Sequence, residues 1–307
     1  MQIRTGTAKS DDLDIYYEDM GDPSDPAVLL IMGLGAQLLL WRDGFCEKLV
    51  ERGLRVIRYD NRDVGLSSKL DGQRAGGSQY ASMLRSFVGR PSPAVYTVEH
   101  LADDGAALLD HLGVDRAHVV GASMGGMIAQ VLAARHAQRT ASLGVIFSSN
   151  NQPLLPPPAP KALFSVIKGP KPGSPREVIV DNSVRVLRII GSPAYPAPED
   201  RLRREAEEAY DRSYYPVGVA RHFGAVLGSG SLRHYDRRIT APTVVIHGMA
   251  DRLMRPSGGR AIAKNIPGAR LVLFPGMGHE LPEELWDPIV AELATNFAAG
   301  AGVASAG

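Results

Sequence analysis

Gly121-Ala122-Ser123-Met124-Gly125, continued by Gly126, lies between the apolar run His118-Val119-Val120 and the helix-like run Met127-Ile128-Ala129-Gln130-Val131-Leu132-Ala133-Ala134. A strand that turns directly into a helix at a serine holds that side chain clear of the sheet. The flanking glycines let the backbone fold tightly and leave neighbouring N–H groups free for an oxyanion. With 33 glycines among 307 residues the spacing alone is weak, so its surroundings carry the argument.

A serine hydroxyl is a poor nucleophile at neutral pH unless a base takes its proton and an acid orients that base. Both residue types follow downstream. Pro242-Thr243-Val244-Val245-Ile246-His247-Gly248-Met249-Ala250-Asp251 reads as a buried strand and a turn that delivers Asp251. Ala269-Arg270-Leu271-Val272-Leu273-Phe274-Pro275-Gly276-Met277-Gly278-His279 reads as a second strand and a loop that presents His279. The order Ser123, Asp251, His279 differs from the orders of the chymotrypsin and subtilisin types. The strand from Leu143 to Phe147 ends in Ser148-Ser149-Asn150, without a carboxylate, and Asp236 precedes its strand, the wrong end for a site at the carboxyl edge of a sheet.

These motifs, with Tyr59-Asp60-Asn61-Arg62-Asp63-Val64-Gly65-Leu66-Ser67 after an early strand, resemble the α/β-hydrolase superfamily over nearly the whole chain. The likeness is greatest to the bacterial carboxylesterase/lipase group with aclacinomycin methylesterase-like and mycobacterial lipase-like members. The resemblance implies a mostly parallel eight-stranded sheet flanked by helices, an inserted helical lid, and a structural role for the Asp60–Ser67 loop. It also implies an oxyanion hole made by the backbone N–H groups of Leu34 and Met124, in the loop Met32-Gly33-Leu34-Gly35 after the strand Val28-Leu29-Leu30-Ile31. Met32 departs from the histidine common at that place in the family.

Short Val/Ile/Leu-rich strands alternate with helical patterns, as in a parallel sheet covered on both faces. Leu13-Asp14-Ile15-Tyr16-Tyr17 alternates as an antiparallel strand would, and Thr97 is placed to cap a helix beginning at Val98. The rhythm breaks at Leu154-Leu155-Pro156-Pro157-Pro158-Ala159-Pro160 and returns near Thr240. This divides the chain into a core of residues 1–150 and 236–297, a helical lid of 151–235, and a small-residue tail of 298–307 expected to be flexible. Within the lid, Ser174, Pro175 and Glu177 spell a capping box opening a helix to about Ile190, and a charged helix is expected from Glu199 to Arg212. Tyr214, Tyr215, Phe223, Val226 and Leu227 offer apolar and phenolic surface that either lines an acyl pocket or fastens the lid to the core.

Composition fits a single α/β enzyme: 44% of residues are hydrophobic, 22% are charged, and the formal charge is +1. No long basic run gives an electrostatic reason to expect nucleic acid. Cys46, the one cysteine, falls in a helix-like stretch and reads as a packed thiol. His118 and His247 lie in strands and His100, His111 and His136 on or beside helices, where hydrogen-bonded structural roles are expected. His222 and His234, in or near the lid, can touch substrate. No spacing resembles a metal site, and no metal or organic cofactor is implied. Residues 1–12 lack the apolar centre of a secretory signal, and no run approaches the ~20 apolar residues of a membrane span, so the expected compartment is the cytoplasm. Peripheral contact with lipid through the lid stays open.

The expected chemistry is acyl transfer from a small-molecule or lipid-like carboxylic ester to water, with Ser123 as nucleophile, His279 as base and Asp251 as its orienting acid. The same three residues also serve carbon–carbon bond hydrolysis or acyl transfer to another acceptor, and a slow-turnover ligand sensor is the alternative outside the enzymes.

Overall fold

The computed structural model describes residues 2–76, 79–171 and 173–304. Eight strands form one sheet: β1 (Ile3–Ser10), β2 (Leu13–Met20), β3 (Ala27–Ile31), β4 (Arg55–Tyr59), β5 (Ala117–Ala122), β6 (Thr140–Ile146), β7 (Thr243–Gly248) and β8 (Arg270–Phe274). Their spatial order is β1-β2-β4-β3-β5-β6-β7-β8. β1 and β2 pair antiparallel with each other, β2 pairs antiparallel with β4, and every later pairing is parallel. The mostly parallel eight-stranded sheet expected from the sequence is therefore present. β3, β5 and β7 are buried along their whole length, which is why they read as unbroken apolar runs.

The helices are α1 (Asp43–Val50), α2 (Gln79–Phe87), α3 (Val98–His111), α4 (Met124–Arg135), α5 (Pro160–Ile167), α6 (Arg176–Ile190), α7 (Glu199–Arg212), α8 (Pro216–Ser229), α9 (Arg233–Asp236), α10 (Pro256–Asn265) and α11 (Trp286–Ala304). One face of the sheet packs on α3, α4 and α10 through Leu101, Leu132 and Ile262. The other packs on α1 and α11 through Leu49, Ile289 and Leu293. Each fully buried side chain of this size stabilises the layers by about 1.5–3 kcal/mol. Cys46 is buried in the second layer, and burial pushes its thiol up to about 12, which keeps it unreactive.

α5 to α8 form a cap over the carboxyl edge of the sheet, with a small apolar core of its own made by Val180, Val184, Leu202 and Ala206 between α6 and α7. α6 ends at Ile190 and α7 spans Glu199–Arg212 as the sequence indicates. The start of α6 differs. Ser174 donates its hydroxyl to Lys171 O at 2.8 Å inside a turn, Pro175 takes the cap position, and no side chain caps the helix. Glu177 pairs instead with Arg176 and Arg203, so the expected capping box does not form.

Two further boundaries shift. α2 leaves the core between β4 and α3 and packs on α8, so part of the segment assigned to the core belongs to the cap. α11 continues to Ala304, well into the stretch expected to be a flexible tail, and residues 305–307 lie outside the described residues. Among the described residues no helix is long and apolar enough to cross a membrane.

Candidate active site

Ser123 is the hinge between β5 and α4, with φ 57° and ψ −122°. A non-glycine residue in this left-handed region costs roughly 1–3 kcal/mol and persists only where its surroundings fix it. Ser123 N–H donates to Ile146 O at 3.0 Å, and Ser123 O accepts from Ser148 Oγ at 2.6 Å. The glycines are required by close approach. A Cβ on Gly121 would lie 2.1 Å from Gly125 O, and one on Gly125 would lie 2.0 Å from Ile31 O.

Asp251 and His279 come to this serine from the ends of β7 and β8. Asp251 Oδ1 accepts the N–H groups of Leu253 and Met254 at 2.8 and 2.9 Å, while Oδ2 lies 2.7 Å from His279 Nδ1. His279 Nε2 lies 2.9 Å from Ser123 Oγ. With a carboxylate on Nδ1, that nitrogen carries the proton and Nε2 is left to accept from the hydroxyl. The histidine loop is fastened by the end of α6: His279 N–H donates to Ile190 O at 2.8 Å, and Gly278 N–H to Ser192 Oγ at 2.9 Å. Phe147 packs on the imidazole at 4.7 Å between ring centres. His247 braces the acid turn by donating Nε2–H to Met254 O at 2.6 Å, and burial holds its pKa below the ordinary histidine value.

The loop after β3 runs against Ser123, where a Cβ on Gly33 would lie 3.0 Å from Ser123 Cβ. Met124 is the first residue of α4, so its N–H has no acceptor within the helix and adds to the positive end of the helix dipole. Leu34, Ser123 and Met124 all line one cavity. Met32 brings no polar side chain to the loop. Asn61 Nδ2 donates to Met32 O at 3.0 Å, and Gly35 N–H donates to His222 Nδ1 at 3.0 Å. The Asp60–Ser67 loop is structural, as expected: Asp60 accepts from the N–H groups of Leu38 and Leu66, each at 2.9 Å.

The cavity encloses about 330 Å³ and is largely apolar. Phe223, Val226 and Leu227 line it, and the sequence reading missed Met83 and Phe87 of α2 and Leu163 and Ile167 of α5. Each missed pair is spaced i, i+4, a signal that was available. Tyr214 and Tyr215 are not among the lining residues. Tyr214 is exposed and packs on Tyr210, while Tyr215, at the start of α8, donates to Asp71 and accepts from Arg221. His222 and His234 do not line the cavity either. His222 is fully buried between two loops, and His234 stacks on Tyr235 at the foot of the cap. The other histidines make structural contacts, for example His118 to Ser142 at 2.9 Å and His136 to Asp103 at 2.8 Å. Asp236, the rival carboxylate, is buried on α9 and accepts from Asn150 Nδ2 at 2.6 Å.

Comparison with known proteins agrees with this architecture. The chain is 30% identical over 302 residues to the rhodomycin D methylesterase DnrP of Streptomyces peucetius, covering 92% of this chain and 95% of that one. It is 26% identical to a 2-hydroxy-6-oxononadienedioate/2-hydroxy-6-oxononatrienedioate hydrolase of Cupriavidus pinatubonensis, over 62% of this chain and 66% of that one. A crystal structure of a bacterial membrane phospholipase A superposes with a TM-score of 0.71 at 25% identity, covering 96% of this chain and 86% of that one. The α/β-hydrolase fold model matches residues 26–284, and the chain belongs to that family.

Proposed function

We propose that this chain is a serine hydrolase that cleaves carboxylic esters through an acyl-enzyme. The observation that carries the reading is the continuous hydrogen-bonded chain from Ser123 Oγ through His279 to Asp251, at 2.9 and 2.7 Å. His279 Nε2 takes the serine proton as Oγ attacks the ester carbonyl, and Asp251 stabilises the imidazolium. The N–H groups of Leu34 and Met124 receive the oxyanion, and one such donor is worth about 3 kcal/mol of barrier. His279 returns its proton to the departing alcohol and then activates the water that releases the acid.

The cavity supports an uncharged, apolar ester. Among its described lining residues Arg255 is the one cation, and its guanidinium already donates to Pro157 O at 3.2 Å. A dianionic substrate, such as the dienedioates named for the Cupriavidus relative, would meet apolar walls, which favours the ester over the carbon–carbon reading. The methylesterase relative supports the same choice.

A lipid-like acid, and peripheral contact with a lipid surface, are supported by exposed side chains next in the chain to lining residues. Leu84, Val88, Leu154 and Phe164, which adjoin Met83, Phe87, Leu155 and Leu163, are 69%, 49%, 72% and 59% exposed. Residues 72–98 and 152–175, which carry them, contain Arg74, Arg85, Arg90, Lys161, Lys168 and Lys171 and no acidic residue. Apolar tips among cations suit anionic headgroups.

The test is hydrolysis of p-nitrophenyl esters of increasing acyl length by the intact protein and by Ser123→Ala, with a fluorophosphonate label as control. The expected result is turnover and labelling in the intact protein, with kcat lower by about 10⁶-fold in Ser123→Ala. Labelling without turnover on any ester would move the assignment to carbon–carbon hydrolysis or a ligand sensor, and neither labelling nor turnover would sink it.

A further inference from the structure

We propose that His222, on the cap helix α8, is a positioning residue for ester cleavage, holding the Gly33–Ala36 turn in the form that keeps the Leu34 N–H at the oxyanion. The proposal rests on the ester-hydrolysis reading above. Ala36 N–H donates to Gly33 O at 3.2 Å, so Leu34 and Gly35 are the central residues of a tight turn, with Gly35 at φ +66°. The Leu34 N–H lies in the preceding Gly33–Leu34 peptide, whose position follows that of the central Leu34–Gly35 peptide. Here Gly35 N–H, which belongs to that peptide, is pinned to His222 Nδ1 at 3.0 Å.

The imidazole can act this way because its tautomer is forced. His222 Nε2 lies 2.7 Å from the carbonyl oxygen of Arg62, an acceptor only, so Nε2 carries the proton and Nδ1 presents its lone pair to Gly35. Burial holds its pKa down to about 4, so the ring is neutral under ordinary conditions. Its frame is rigid as well. Arg221, the preceding residue, makes a two-pronged contact with Asp63 at 2.7 and 2.6 Å. A Cβ on Gly35 would lie 2.8 Å from Val219 of the same helix. The loop that carries an oxyanion donor in the core is thus set by a side chain from the cap, 187 positions further along the chain.

The experiment compares His222→Phe, which keeps the ring's bulk without its acceptor, with His222→Asn, whose Oδ1 can stand where Nδ1 stood. Each is assayed for kcat and KM on a soluble p-nitrophenyl ester and for binding of a trifluoromethyl ketone, whose adduct carries the oxyanion. His222→Phe is expected to lower kcat by about 100-fold with KM little changed. It should weaken the ketone by the same factor, and His222→Asn should restore most of both. Undiminished kcat and ketone affinity in His222→Phe would overturn the proposal, as would a loss confined to KM. If His222→Phe does not fold, a folded His222→Asn that has lost turnover overturns it equally, and one that keeps turnover supports it. An intact protein inactive on every ester would sink the ester reading and this proposal with it, whereas an active one with unaffected variants sinks this proposal alone.

Discussion

α7 and α8 reach the core through buried charge, whereas α5 reaches it through a backbone contact at its start, and α2 and α5 leave apolar side chains in water. On the first side, Arg212 donates to Asp60 Oδ2 at 2.7 Å and to Gln37 Oε1 at 2.6 Å, and Arg221 grips Asp63, with both carboxylates fully buried. Burial pushes Asp63 up, but hydrogen bonds from Arg221, the Leu70 N–H and the Tyr96 hydroxyl outweigh it and hold the carboxyl below its usual value. On the second side, Ala159 N–H donates to Arg252 O of the core at 2.8 Å and Leu154 N–H ties the approach to α5 to Phe87 O of α2 at 3.2 Å, while Leu84 and Phe164 stay exposed. Buried ion pairs tolerate few geometries, and exposed apolar tips tolerate many. One side of the cap is therefore tied to the core by directional buried contacts, and the other presents exposed apolar side chains.

The largest test of that contrast removes one ion partner. Arg221→Met should destabilise the fold by about 3–5 kcal/mol, read from urea unfolding, because it strands the Asp63 carboxylate in the interior. A cost below about 1 kcal/mol would erase the distinction between the two sides.

A smaller effect is expected at the root of the second side, where Asn150 and Asp236 fasten the segment that leads to α5. Burial raises the Asp236 pKa from 3.8 to about 7, against a lowering hydrogen bond from Asn150. The native state thus keeps a proton that the unfolded chain has already released. Stability from this group is complete below about pH 4 and is lost as pH rises through about 7, a change of roughly 2–4 kcal/mol. Asp236→Asn should flatten this dependence and raise Tm at pH 8 relative to the parent, with no gain at pH 4. Equal slopes in the two proteins would show that the carboxyl ionises as freely in the fold as outside it.

The smallest effect sharpens the contrast from the other direction. Leu84→Ser and Phe164→Ser should change stability by no more than about 0.5 kcal/mol and leave turnover of dissolved short-chain esters intact. Hydrolysis of long-chain esters presented in anionic vesicles should fall several-fold. Equal rates on dissolved and vesicle-bound esters in parent and variants would remove the exposed side chains from any role at a lipid surface.

What could be read from the sequence was what neighbouring residues determine. Ser123, Asp251 and His279 each follow an apolar strand and a glycine-containing turn, and that local pattern was enough to bring them out at one edge of the sheet. α7 could be placed near its observed bounds because its charge pattern is dense and begins and ends abruptly. Tyr215 could not be placed, because its partners are Asp71, from a distant loop, and Arg221, and nothing beside it in the chain marks either. Ser174 carried a helix-start signature, yet its hydroxyl found a nearer carbonyl at Lys171, and the helix begins one residue later than that signature places it. α2 sat unnoticed inside a segment assigned to the core, because the sequence does not say that a chain leaving β4 will climb into the cap before returning.

The fastening of the histidine loop to the end of α6 limits how this enzyme can be recombined. Ile190 and Ser192 support His279 and Gly278 from within the inserted segment. A chimera that exchanged the whole insertion for that of a relative would remove supports of the reacting centre together with the specificity surface. Crossovers that retain residues 176–229 and replace only the stretch from about 152 to 170 would change what enters while leaving those supports in place. In this chain the segment between β6 and β7 is divided, with one portion holding the His279 loop and the other making no such contact among the hydrogen bonds described above.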